Sequence, residues 1–262
     1  MRSEEEAAYL SLLITQVRAD HPTLSCRAMY YKLSPGIGRD RFEQICRDLG
    51  YKIERKSGRP RTTNSYGVVR FENLLINMTL TYINQAWSSD ITYYELEQRF
   101  FYITFIIDCY SRRILGHATS RRMLTEETTL PALKQALRTR KNAIPPGLVF
   151  HSDGGGQYYD KSFLALTEDY GMRNSMCEYA YENGKAERLN GIIKNNYLVH
   201  YQITSYKELV KCVDRSVALY NQGRPHKSLK YKTPINFEDE LLNSPQPTKP
   251  KMTESLDAYN RF

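Results

Sequence analysis

No stretch of this 262-residue chain approaches the roughly 18 to 20 consecutive apolar positions that a membrane-crossing helix requires. Its start, MRSEEEAAYLSLL, is acidic where a secretion signal is basic, so the expectation is a cytoplasmic protein without a membrane partner. The five cysteines, Cys26, Cys46, Cys109, Cys177 and Cys212, are odd in number and far apart. They include no CxxC pair and no neighbouring histidine at zinc-ligand spacing, which favours reduced, mostly buried thiols over a zinc site or a disulfide framework. There is no heptad run to make a coiled coil, and no internal repeat.

Positive charge is what the chain has in excess. A formal net charge of +8 favours a polyanionic partner, because each phosphate contact releases counterions, although charge alone does not separate DNA from RNA or a membrane surface. With 41% hydrophobic residues there is enough apolar material for one sizeable core and a smaller appendage.

Residues 4 to 18 place Tyr9, Leu10, Leu13, Ile14 and Val17 at helical spacing behind three glutamates. After His21-Pro22, Ser25 is suited to cap a short helix containing Met29, Tyr30 and Leu33, and Pro35-Gly36-Ile37-Gly38 then turns into RDRFEQICRDLG. There Phe42, Ile45, Cys46 and Leu49 make an inner face and Arg39, Arg41 and Arg47 fall outside it. That outline is a helix-turn-helix-like module whose outer face suits a DNA groove, or else an ordinary helical hairpin, which carries the same turn signals. The following YKIERKSGRPRTT, with Lys56 and Arg59 among its cations, reads as a basic linker able to lie along phosphates. The boundaries expected are a helical module over 1–60, a basic linker over 61–82, a core over 83–240 and a flexible tail over 241–262.

Beyond residue 83 the texture turns to strands. WSSDITYYEL, RFFYITFII and Arg113 to Thr119 form an antiparallel meander. A helix following Thr125 and kinked or shortened by Pro131, a short strand ending at Phe150, a helix over about 160–170, a strand over about 172–176 and two more helices complete the order. The fold class is α/β, a mixed sheet flanked by helices, with a small all-α module before it.

The stretch YENGKAERLNGIIKNNYL, Tyr181 to Leu198, reads as a helix with two faces. Leu189, Ile192, Ile193 and Tyr197 gather on one side; Asn183, Glu187, Asn190 and Lys194 gather on the opposite, exposed side. Asp90 lies within the first strand and Asp153 at the end of the strand before three glycines. If those strands are neighbours, the two carboxylates converge and the helix can bring Glu187 to meet them. Clustered hard oxygen ligands suit Mg²⁺ or Mn²⁺, and a pair of such ions supports in-line displacement at a phosphodiester. Each acid also has a plain reading: Asp90 as a turn acceptor, Asp153 as an Asp-Gly turn, Glu187 and Lys194 as a surface charge pair.

Taken together and in order, WSSDITYYEL, HSDGGGQYYDKSF, NSMCEYAYENGKAERLNGIIKNNYL and YNQGRPHKSLKYKTP resemble the retroviral-integrase-like transposases of bacterial insertion sequences. The resemblance is to the second-frame protein, OrfB, of the insertion-sequence-three family, over about residues 21–237. It implies an RNase H-like integrase core in which Asp90, Asp153 and Glu187 are the D,D,E metal ligands, serving two Mg²⁺ or Mn²⁺ ions. It implies that Lys194 contacts DNA near the reacting phosphate. Asn183, Arg224, His226 and Lys227 are further candidates for DNA contact, packing being as good a reading of the last three. The resemblance also implies cleavage and strand transfer at element ends in the bacterial cytoplasm and nucleoid, self-association on paired ends, and a first-frame (OrfA) partner. Gly154, where that family often has arginine, and the wording ENGKAE depart from its pattern without removing a ligand. The competing readings are a DNA-binding relic or regulator without chemistry, and a plain RNase H-like nuclease.

Overall fold

The computed structural model describes residues 2–53, 71–243 and 252–253. Lys56 and Arg59, residues 61–70 of the linker and most of the tail expected above lie outside the described residues.

Three helices, α1 (Arg2–Asp20), α2 (Cys26–Leu33) and α3 (Arg39–Asp48), close around Leu10, Ile14, Val17, Leu24, Met29, Phe42 and Cys46. The Ser25 hydroxyl accepts the Ala28 N–H and caps α2, as its place before the apolar series predicts. Gly50, at φ +73°, ends the third helix in the left-handed conformation that glycine adopts without strain. Tyr9 and Leu49, expected on inner faces, are exposed. The bundle is too small to cover more than one narrow stripe of α1, and Leu49 is already the C-cap of α3.

The main sheet has five strands in the order β4-β3-β2-β5-β6. A short separate pair, β1 (Thr79–Leu80) with β7 (Met252–Thr253), stands outside it. The meander is β2 (Ala86–Leu96), β3 (Arg99–Asp108) and β4 (Ile114–Ser120), all antiparallel; β5 (Val149–Ser152) and β6 (Arg173–Met176) extend it in parallel on the β2 side. Alternation along β3 divides the core between two layers. Phe101, Ile103, Phe105 and Ile107 face α6 (Gly184–Asn196) and α7 (Tyr206–Gly223). Ile106, with Trp87, Leu115 and Phe150, faces α4 (Thr129–Thr139) and Phe163 of α5 (Lys161–Asp169).

The fourth helix begins at Thr129, later than Thr125 suggests. Pro131 sits in its first turn, where no intrahelical N–H is needed, and so does not break it. Asp108, at the end of β3, is fully buried and accepts the N–H groups of Asn84, Tyr110 and Ser111. It belongs to a buried ion network. The final helix, α8 (Pro234–Asn243), supplies Glu238, which binds Arg140 at 2.6 and 2.7 Å, Arg113 at 2.7 Å and the Ser111 hydroxyl.

Gly116 of β4 lies directly under α4. A Cβ there would come within 2.1 Å of the Ala132 carbonyl oxygen and 2.8 Å of the Ala136 nitrogen, both backbone atoms that cannot swing aside. Gly116→Ala is expected to cost about 1–3 kcal/mol or more. A denaturation midpoint equal to wild type would show that the helix and strand separate freely.

The helical bundle rests on the sheet domain through particular contacts. His21 Nδ1 and the Tyr197 hydroxyl are 3.0 Å apart, Lys32 Nζ donates to the Gly223 carbonyl at 2.8 Å, and the Tyr31 and Tyr231 rings stack at 4.0 Å.

Candidate active site

Register explains how the first two carboxylates meet. β2 is the middle strand, and β5 runs beside it in parallel, pairing Ser88 with His151. Two residues beyond that pair on each strand stand Asp90, within β2, and Asp153, just past the end of β5, so the two sit at the same level of the sheet, about one strand spacing of 4.8 Å apart. The convergence expected from the sequence is therefore a product of sheet order.

The helix α6 crosses this face. Its N-terminus is fixed by Asn183, whose side-chain oxygen accepts from the Ser88 hydroxyl and whose amide donates to the Ser89 carbonyl at 2.9 Å. One turn into the helix is Glu187, exposed to solvent. Further along, Asn190 donates to Asp90 Oδ2 at 2.7 Å. Lys194 then donates to the Tyr93 carbonyl at 2.7 Å and lies 4.6 Å from the centre of the Tyr93 ring.

Two expectations about this helix are corrected. The segment Ala180–Asn183 is a 3₁₀ turn, and the α-helix starts at Gly184, so Asn183 is off the helical lattice. It is 2% exposed with both ends of its amide engaged, which removes it from the DNA-contacting surface. Asn190 is likewise buried, at 6%. Asn183 and Asn190 face the strand rather than solvent, while Glu187 is exposed and Lys194 is half-buried.

Two of the acids act on the third. Burial first, then the negative charges of Asp153 and Glu187, push the Asp90 carboxyl up from 3.8 to about 7. Burial also raises Asp153, against the Gly155 N–H that it accepts at 3.1 Å. Tyr158 stands behind them, its hydroxyl 2.8 Å from that of Ser89, and is raised by burial and then by Asp153 and Asp90. Among the described residues no three His, Cys, Asp or Glu side chains already stand at ion-gripping distance. The donor set nonetheless fits a hard divalent cation: three carboxylates whose mutual repulsion a cation relieves, and beside them a buried Asn190 oxygen with no partner.

The sign of the pH dependence follows. Because the folded Asp90 holds its proton more tightly than the unfolded chain does, its contribution to stability is full below 3.8 and is lost as pH rises through about 7. Metal-free wild type is expected to lose melting temperature relative to Asp90→Asn as pH rises from 3.8 to about 7, and Mg²⁺ or Mn²⁺ to reverse the loss in wild type alone. Parallel curves for the two proteins would show that Asp90 does not feel the other acids.

The remaining candidates are placed as follows. Arg39, Arg41 and Arg47 are exposed on α3 and engage Asp40, Glu6 and Gln44 respectively. Lys227 is exposed in a 3₁₀ turn. Arg224 lies beside the Tyr197 hydroxyl, and one of its nitrogens is buried without a partner. His226 packs edge-on against Tyr220 at 4.7 Å, and burial lowers its pKa to about 3. It closes the core, which takes it off the DNA-contacting surface. His151 is fully buried against Ser175 at 2.9 Å, a packed strand-end histidine. Sequence reasoning named Asn190 as part of the polar stripe but missed its bond to Asp90; the shared stripe with Glu187 was the available signal.

A meander extended by two parallel strands, with carboxylates at the β2–β5 seam and a helix bringing a third, defines the RNase H-like core of the integrase class. Two family models described as integrase core domain match residues 82–181 and 173–234. The chain is 29% identical over 247 residues to an uncharacterized 31 kDa protein of insertion element IS600 from Shigella sonnei, covering 91% of this chain and 89% of that one. It is 29% identical over 202 residues to transposase InsF for insertion sequence IS3fB of Escherichia coli K12, covering 75% and 68%. Among solved structures it overlays a chain of the simian T-cell lymphotropic virus intasome in complex with PP2A regulatory subunit B56 gamma, with a TM-score of 0.51 and 16% identity over 95% of this chain and 79% of that one, a likeness of fold. The chain carries an integrase core domain, its two models together spanning residues 82–234, and over most of its length it is similar to proteins of bacterial insertion sequences, the InsF transposase among them.

Proposed function

We propose that this transposase cleaves DNA at the ends of an insertion sequence and joins the freed 3′-hydroxyl to a new phosphodiester, with Asp90, Asp153 and Glu187 as its catalytic carboxylates. The observation that supports the reading is the electrostatic pressure that Asp153 and Glu187, from the end of β5 and from α6, put on Asp90 of β2. These residues would hold Mg²⁺ or Mn²⁺, two ions by the chemistry of the reaction, which when bound activate the attacking oxygen and stabilise the leaving one.

The chain's own groups divide the remaining work. Asn190 fixes the orientation of Asp90, and Asn183 ties the start of α6 to Ser88 and Ser89, so the helix presents Glu187 at a set height over the strand. Lys194, held against Tyr93, offers its ammonium to a backbone phosphate beside the reacting one. Arg39, Arg41 and Arg47 on the helical module and Lys227 on the core extend the cationic surface, and Lys56 and Arg59 of the linker carry the same charge between them. Transposition joins two ends, so the protein acts as a multimer on paired DNA ends. A first-frame partner supplies end recognition and a coiled coil. No described helix is long and apolar enough to cross a membrane.

The test is a strand-transfer assay on labelled DNA from the borders of the gene's own locus, with Mg²⁺ or Mn²⁺ and with the first-frame product added. Joined products are expected. Cleavage of RNA–DNA hybrids without joining would replace the transposase reading with that of a nuclease.

A further inference from the structure

The β2–β3 hairpin outruns the rest of the sheet. β5 accompanies β2 only as far as Ser88, and β4 reaches along β3 only to Tyr102, whereas the hairpin strands pair with each other out to Leu96 and Arg99. Glu97 and Gln98, both at positive φ, close it in a tight turn whose twist matches the strands. A two-stranded tip standing in water is normally polar. This one carries Tyr93, 51% exposed, and Phe100, 50% exposed, their ring centres 5.4 Å apart and edge to face.

A cation stands on either side of the ring pair. Lys194 Nζ is 4.6 Å from the centre of the Tyr93 ring and donates to the Tyr93 carbonyl. On the other side, Phe100 lines a cavity of about 630 Å³ together with Glu97, Arg99, Tyr102, Arg121 and Tyr206. Arg121 lies 4.6 Å over the Tyr206 ring, which is itself fixed: it stacks on Phe101 at 5.3 Å, and its hydroxyl donates to the Thr119 carbonyl at 2.7 Å. Arg99 and Arg121 are exposed, and Glu97 is the one acid in the lining. Cations alternating with accessible rings suit an unpaired nucleic-acid strand, whose base faces stack on the rings while its phosphates meet the cations. Within a duplex the base faces are already stacked on one another. A second copy of the chain would set the same cations against themselves.

We propose that Tyr93 and Phe100 form a stacking site for a base of unpaired DNA, with Lys194 and Arg121 on phosphates at its two sides. Tyr93 lies three residues beyond Asp90 on β2, about 10 Å along the strand, or roughly three stacked-base steps. Alternation puts it on the opposite face from Asp90, and Lys194, which also lies 3.4 Å from the Thr92 hydroxyl, spans the two faces. That the strand is an element end opened beside the carboxylates rests on the transposase reading; the stacking site itself does not.

Binding of the full chain to three probes, without metal, tests it: a mixed-sequence single-stranded oligodeoxynucleotide, the same strand made abasic, and the matching duplex. Phe100→Ala should weaken single-strand binding by about 5- to 150-fold, the effect of losing one stacked base, and change abasic and duplex binding little. Phe100→Trp should keep single-strand affinity, and its exposed indole, unlike the fully buried Trp87, should lose fluorescence as the oligonucleotide is added. Arg121→Gln should lower the single-strand salt slope by about 0.7, and an unchanged slope removes Arg121 from the site. Equal single-strand affinity in wild type and Phe100→Ala overturns the site. So does an equal loss on all three probes, which would mean a backbone contact or a damaged fold. Self-association of wild type that Phe100→Ala abolishes, with single-strand affinity unchanged, would give the rings to a second copy instead. None of these readouts needs cleavage, so a failed strand-transfer assay leaves the stacking result standing, and a failed stacking site leaves the transposase reading standing.

Discussion

Glu187→Gln will bind DNA with nearly wild-type affinity and cleave it at least about 100-fold more slowly. Loss of a group that merely orients a metal ligand already costs about 10–100-fold, and removal of the ligand itself should exceed that. The substitution is nearly isosteric, and Glu187 is exposed, so the fold has little reason to change. Removing one of three mutually repelling carboxylates should also lower the Asp90 pKa from about 7, which a titration of the metal-free protein would detect. A variant that loses binding and cleavage equally would place Glu187 on the DNA-contacting surface instead. A variant that cleaves at the wild-type rate would remove it from the site altogether.

Glu238→Ala will destabilise the protein by about 3–5 kcal/mol, the usual consequence of removing one partner from a buried pair. Glu238 is fully buried, and Arg140, whose side chain is 8% exposed, spends both terminal nitrogens on it. Burial opposes the charge on Glu238, but the bonds from Arg140, Ser111 and Arg113 outweigh it and hold the carboxyl below its ordinary value. Its contribution is therefore present above the ordinary glutamate pKa and disappears as pH falls through the lowered one. Without it, Arg140 retains the Asn84 side-chain oxygen at 2.7 Å and, among the described residues, Asp108 at 3.4 Å as its remaining carboxylate. At about 2–4 °C per kcal/mol for a chain of this size, the melting point should drop on the order of 10 °C. Arg140→Met combined with Glu238→Leu should recover much of the loss, because the unpaired charge disappears with its partner. If the double variant is as unstable as the sum of the single changes, the pair contributes through packing rather than through charge.

These two acids differ in how visible they were in the sequence. Glu187 announces itself because helical periodicity is local: the stripe Glu187, Asn190, Lys194 is fixed by the geometry of one helix. Its neighbours Asp90 and Asp153 are legible for a related reason, since strand texture and a strand-end glycine run mark their places and the parallel β2–β5 pairing does the rest. Glu238 gives no such signal. Its partner Arg140 is distant in sequence, and nothing in the periodicity of α8 says that a glutamate there must be buried. Asn183 was misread through a different fault: extending a 100° lattice one residue before the helix begins places on the surface a side chain that the 3₁₀ turn folds inward.

The contact between His21 and Tyr197 also fixes a length. Tyr197 closes α6, the helix that carries Glu187, so the bundle at the start of the chain is seated on the far end of that helix. At 1.5 Å per residue, Glu187 and Tyr197 are about 15 Å apart along the axis. A DNA end gripped by α3 would thus meet the acids at a separation gauged by one stiff rod, and the point of cutting would be measured from the gripped sequence as by a calliper. Adding or deleting a turn in that rod would shift where the strand is cut while leaving intact what is recognised.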